Sequence, residues 1–163
     1  MAYQAKKRKT FAEDLELVDE HGSVVYTLHV SLDADDMVAK LNRKYVELTK
    51  SLAEVSEIQR NVENNEKMNE AFEKLGSAVT NLFEAVFGKE DTELIISFYE
   101  GRYIEMTKEI TPFITQCVIP RCIEIKKENQ KNILSSYNRK QRRALLKCVE
   151  IGFLTGTNLL QIG

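Results

Sequence analysis

The sequence predicts an α+β fold, mostly α: an N-terminal β-hairpin packed on a bundle of about four to five helices, with a basic, loosely ordered C-terminal tail. Three observations carry this. Two runs of period 2 flank a glycine-containing loop between Phe11 and Leu32. Apolar residues then recur at helical spacing from Met37 to Ile125. Only 7 Gly and 2 Pro in 163 residues leave little material for a turn-rich all-β fold.

Residues 1–10 read as a basic flexible arm carrying Lys6, Lys7, Arg8 and Lys9. From Phe11 the pattern alternates. Phe11, Leu15 and Leu17 share one strand face, with Glu13 interrupting the row. After residues 19–23 the alternation resumes. Val24, Tyr26, Leu28, Val30 and Leu32 line one face; Val25, Thr27, His29 and Ser31 line the other. Gly22 supplies the positive φ that such a hairpin loop commonly needs. A lone hairpin is marginal in water, so its apolar face must pack on helices or on another subunit.

Ser31 or Asp33 caps the next element, and Asp35 and Asp36 complement the positive end of a helix. Met37, Leu41, Tyr45, Leu48, Leu52, Val55 and Val62 then form a narrow stripe. This long amphipathic helix either packs within one subunit or pairs with another in coiled-coil fashion. Residues 61–65 make a polar break. A second helix holds Met68, Phe72, Leu75, Val79, Leu82 and Val86, widened by Phe83 and Phe87, and Gly88 ends it. Asp91 or Thr92 starts a short third helix with Leu94, Ile95, Phe98 and Tyr99, ended or bent by Gly101. A fourth helical stretch runs from near Tyr103 to about Lys127. Pro112 and Pro120 interrupt it, and a kink or restart is expected at one of them. Its 113–125 portion is the most apolar of the chain, and is either core or a binding surface. The organisation is then an arm (1–10), a hairpin plus helical domain (11–127) and an accessory tail (128–163).

The net charge of −2 hides an asymmetry. Residues 11–36 hold eight acidic groups and no Lys or Arg. Residues 121–147 hold nine basic and two acidic groups. An acidic body with basic ends argues against a dedicated nucleic-acid-binding domain, although Lys6–Lys9 and the cluster Arg139, Lys140, Arg142 and Arg143 are each able to meet phosphate. No apolar run approaches the about 18 residues of a membrane-spanning helix, and acidic residues follow the basic N-terminus where a secretory signal would be apolar.

Catalytic constellations are not evident. His21 lies in the hairpin loop and His29 on the more polar strand face, both expected at the surface. Acidic pairs such as Asp35–Asp36 and Glu90–Asp91 stand at helix starts, where the helix dipole accounts for them. Cys117, Cys122 and Cys148 form an odd set without a CxxC motif and read as reduced thiols. Neither metal, cofactor nor enzymatic activity is expected.

One segment is more specific. Leu82-Phe83-Glu84-Ala85-Val86-Phe87-Gly88-Lys89-Glu90-Asp91 is followed by Leu94-Ile95-Ile96-Ser97-Phe98-Tyr99-Glu100-Gly101. Tyr103-Ile104-Glu105-Met106 and Ile110-Thr111-Pro112-Phe113-Ile114 come next. With the hairpin and long helix before it, this resembles the tail assembly chaperones of long-tailed phages and prophages from Gram-positive bacteria, over about residues 10–128. The resemblance implies a non-enzymatic protein of the bacterial host cytoplasm. Such a protein binds the tape measure protein, keeps it soluble and helps bring tail tube subunits to it. A chaperone of helical clients needs apolar grooves between helices. The expected contact surface is Phe83, Phe87, Phe98, Tyr99, Phe113 and Ile114, whose alternative role is plain core packing. The competing readings are a coiled-coil-like adaptor that forms a homo-oligomer through residues 41–62 and a protein touching nucleic acid through its basic tail.

Overall fold

A computed structural model of the chain describes residues 2–61, 65–135, 143–144 and 146–147. Strands β1 (Phe11–Val18) and β2 (Val24–Leu32) form a two-stranded antiparallel sheet. Phe11 is opposite Leu32 and Leu17 opposite Tyr26, with an irregularity where Val18 pairs with Val24. That slip leaves Val25 as the extra residue of a β-bulge. The loop is held by Asp19, whose Oδ1 accepts from the amides of His21 and Ser23, both at 2.9 Å. Gly22 takes the expected positive φ, +81°.

The alternation places Phe11, Leu17, Leu28, Val30 and Leu32 on the buried side. That face packs on the helices, β2 against the second helix and β1 against the last. Helix packing rather than a partner subunit thus satisfies the requirement of the lone hairpin. The distal end is different: Val18, Val24, Val25 and Tyr26 are exposed.

Helix α1 spans Ala34–Arg60 and is capped by Asp33, which accepts from the amide of Asp35. It packs against α2 (Asn65–Phe87) and the last helix, α5 (Ile119–Ser135). A bond of 3.1 Å from Lys74 Nζ to Glu54 marks the antiparallel pairing of α1 with α2. The buried line of α1 is Ala34, Val38, Leu41, Leu48 and Val55, while Met37, Tyr45 and Leu52 flank it half-buried. The apolar stripe is therefore used within one chain. Val62 of that stripe lies outside the described residues. Asn42 sits in the buried line at 3% exposure, and its Nδ2 has no hydrogen-bond partner among the described residues.

Helix α3 is Lys89–Phe98, starting two residues before Asp91, the earlier of the two expected starts. Helix α4 (Tyr103–Phe113) runs through a π-helical turn (Ile114–Val118) into α5 (Ile119–Ser135). The kink or restart expected at a proline is thus replaced by a continuous helix with one wide turn. The Ile119 amide bonds to the Ile114 carbonyl across that turn. Pro120 has no amide to donate and its ring would crowd the Gln116 carbonyl; a wider turn before it relieves the crowding. Ile114, Val118, Ile119, Cys122 and Ile125 are all buried, so the most apolar stretch of the chain is core.

Helix α5 continues past Lys127, so the boundary expected at residue 128 falls inside a helix. Asn129 is buried, and its side chain bonds both the amide and the carbonyl of Lys9, at 3.3 and 3.1 Å. Lys9 Nζ also meets Glu128 at 3.0 Å, holding that carboxyl below its usual range. Arg8 pairs with Asp35 and lies 3.9 Å from Asp33. Residues 8 and 9 are therefore tied to the start of α1 and to α5, rather than belonging to a free arm. Arg143 is exposed; Arg139, Lys140, Arg142 and Cys148 lie outside the described residues. Among the described residues no helix is long and apolar enough to cross a membrane.

Candidate functional site

The six residues expected to form a contact surface divide into two sets. Phe83 and Phe87 stand one turn apart on α2 with rings edge-to-face at 5.8 Å. Phe87 stacks on Phe113 of α4 at 6.2 Å and 19°. Phe83 and Ile114 are fully buried and Phe87 is 9% exposed. These four seal α2 onto α4 and the π turn, and Phe83, Phe87 and Ile114 offer no surface to a partner. Phe98 and Tyr99 close α3, edge-to-face at 5.0 Å, and Tyr26 of the hairpin meets Phe98 at 6.3 Å. This second set is half-buried beneath the exposed hairpin end. Burial, with Glu109 and Glu105 nearby, pushes the Tyr99 hydroxyl above its usual range.

A more open apolar surface lies on the other half of α2. Phe72 and Ile104 are both exposed, on adjacent helices. With Tyr103 between them they line a cleft of about 670 Å³ whose rim carries Arg102, Lys108 and Glu109. Phe72 and Tyr103 also border a second hollow of about 660 Å³ that runs along α2 past Gly76 to Thr80. The two share a wall and form one trough. Gly76 makes it possible: a Cβ there would stand 3.0 Å from the Tyr103 ring. An alanine at 76 would require the Tyr103 ring to give way by a few tenths of an ångström. Arg102 is fixed at the rim by Glu105 at 3.3 Å and Glu100 at 3.7 Å.

Phe72 was part of the helical stripe in the sequence, and Ile104 part of the Tyr/Met segment, but neither was singled out. Ala71, Leu75, Gly76, Ala78, Val79 and Leu82 are buried on α2, and Phe72 is in helical phase with Gly76 and Val79, so its spacing alone carries no signal that it stays exposed.

Among the described residues no three His, Cys, Asp or Glu side chains are grouped to hold a metal ion. His29 Nδ1 lies 2.6 Å from Asp14 across the hairpin, and both side chains are exposed. Cys122 is buried and its thiol is pushed up to about 11 by desolvation, with Cys117 adding to the shift, so it is protonated at neutral pH. Cys117, half-buried, is shifted in the same direction by burial and by Glu13. These are properties of packed thiols. Comparison of the chain with protein-family models, with curated proteins and with solved structures returned no match.

Proposed function

We propose that this chain is a tail assembly chaperone of a long-tailed phage or prophage, which holds an amphipathic helix of the tape measure protein and helps recruit tail tube subunits. The observation that carries the reading is the Phe72–Tyr103–Ile104 trough: an apolar floor between two helices, with charges of both signs on its rim. Such a groove accepts the apolar face of a helix at i, i+3, i+4 spacing and leaves the client's polar face in water. The client surface therefore shifts from the buried Phe83–Phe87–Phe113 seam to this trough, with Phe98 and Tyr99 as a second half-exposed contact. The coiled-coil adaptor is disfavoured because the α1 stripe is already covered by α2 and α5.

The test is co-expression with the product of a long, helix-rich reading frame from the same gene cluster. The chaperone should raise that product's soluble yield, and Phe72→Glu with Ile104→Glu should abolish the gain while leaving the chaperone's own helicity unchanged. A soluble yield that ignores the chaperone, or ignores the double substitution, overturns the reading.

A further inference from the structure

The distal end of the hairpin combines two features that the trough does not use. The first is apolar surface. Val18, Val24, Val25 and Tyr26 are each between 43% and 50% exposed. Val18 and Val24 are opposed across the strands, and the extra residue Val25 follows directly. Tyr26 extends the patch onto Phe98, at 6.3 Å, and Phe98 extends it onto Tyr99. Contiguous exposed apolar groups with a polar rim are the mark of an interaction surface. The second feature is charge of a single sign. Strand β2 carries no Asp, Glu, Lys or Arg. Strand β1 and the loop carry Asp14, Glu16, Asp19 and Glu20, and residues 11–36 hold no Lys or Arg. Where the patch reaches Tyr99 the field has the same sign, since Glu109 and Glu105 both act on its hydroxyl. Arg102, which donates to the Tyr99 carbonyl, is itself held by Glu100 and Glu105.

We propose that this end of the hairpin docks a cationic protein segment, one that carries Lys or Arg on either side of an apolar residue. Charge complementarity selects that occupant. The patch alone would accept any apolar surface, but the carboxylates around it repel anything anionic. Nucleic acid and anionic lipid headgroups are turned away by their phosphates. A second copy presenting the same hairpin end would set four carboxylates against four. A cationic segment gains twice: its apolar side chain covers the valines and Tyr26, and its basic groups meet the rim. Asp14 is taken up by His29, and Asp19 by the amides of its own loop. The rim groups left to a partner are therefore Glu16, which is exposed, and Glu20, whose nearest charged neighbour is the His21 ring at 3.8 Å. Phe98 and Tyr99 enter the client-binding reading as well, but the hairpin residues and the trough share none, so each reading can fail without the other.

Fluorescence anisotropy with a short labelled peptide that alternates Lys with Leu tests this. The alternation denies the probe the i, i+3, i+4 apolar face that suits the trough. The full chain should bind it saturably, and less tightly as salt is raised. A peptide that alternates Glu with Leu should not bind. Glu16→Lys with Glu20→Lys should weaken binding about tenfold, and Val24→Ser with Tyr26→Ser should weaken it about as much. Glu57→Lys with Glu70→Lys makes the same change of charge on exposed faces of α1 and α2 and should leave binding unchanged, as should Phe72→Glu with Ile104→Glu in the trough. The proposal is overturned by an absence of saturable binding, by equal binding of the Glu–Leu peptide, or by hairpin variants that bind like the parent. An equal loss in the α1–α2 control or in the trough variant overturns it too. Should a hairpin variant lose its circular dichroism, chemical-shift mapping on the unmodified protein decides. Peptide-induced shifts concentrated at residues 16–27 and 98–99 support the docking, and shifts centred elsewhere refute it.

Discussion

The two halves of α2 use the same kind of residue for opposite ends. In the C-terminal half, Phe83 and Phe87 are buried, and Phe87 stacks on Phe113 of α4. In the N-terminal half, Phe72 stands exposed beside Tyr103 and Ile104. The difference lies in what the chain brings up against each half. The helix from Tyr103 onward lays its most apolar stretch, 113–125, into the core. Its first turn, which carries Arg102 and Glu105, stays at the surface. An aromatic residue is a core residue or a contact residue according to its neighbours, and the motif containing Phe83 and Phe87 proves to be a sealing motif.

The sharpest way to break this contrast is to truncate both ends. Phe83→Ala should cost about 3–5 kcal/mol in denaturant unfolding, since it leaves a cavity among fully buried neighbours. Phe72→Ala should cost less, about 1–2 kcal/mol, because the residue is 36% exposed and part of what it loses was already in water. Equal losses would show that the two ends are packed alike. The next test stays in the sealed half. By the antiparallel pairing that Glu54 and Lys74 mark, Asn42 runs beside the C-terminal half of α2. Its orphaned Nδ2 carries an unrepaid desolvation cost, so Asn42→Leu should raise the unfolding free energy by about 1–2 kcal/mol. A loss of stability would mean that the amide is satisfied and the sealed half less dry than it stands.

Asn129→Ala should cost about 0.5–1.5 kcal/mol and release Lys9, read as faster amide exchange at residue 9 and new proteolysis within residues 2–9. The trough should not respond, because the clamp is at the other end of the molecule's α1. The smallest effect at neutral pH concerns Cys122. Its thiol is raised from the ordinary 9.0 to about 11 in the fold, so the folded state keeps a proton that the unfolded chain gives up. Stability is then fully present below about pH 9, falls as the pH rises from about 9 to about 11, and levels off above. The denaturation midpoint followed over that range should decline less in Cys122→Ala than in the parent; identical slopes would remove Cys122 as the source.

Much of this was legible in the residues. The hairpin, the Asp33 cap, and the glycine-bounded second and third helices each follow from a local rule of spacing, capping or turn chemistry. The candidate contact surface was less so. Phe83, Phe87, Phe98, Tyr99, Phe113 and Ile114 share a motif, yet three of them are interior. Periodicity tells that a residue lies on an apolar face, but not whether another helix arrives to cover it. The tie between Lys9 and Asn129 was illegible for a related reason. It joins residues far apart in sequence, neither of which belongs to a pattern.

The sequence by itself determined the elements, their order and the asymmetry of charge, because strand alternation, helix caps and proline effects act over a few residues. Only the tertiary structure decided which apolar faces meet. It spent the α1 stripe and the 113–125 stretch on the core, replaced a proline kink with a π turn, and left Phe72, Ile104 and the apolar end of the hairpin in solvent. Those outcomes depend on volume and coverage among segments distant in the chain, and no local pattern encodes them.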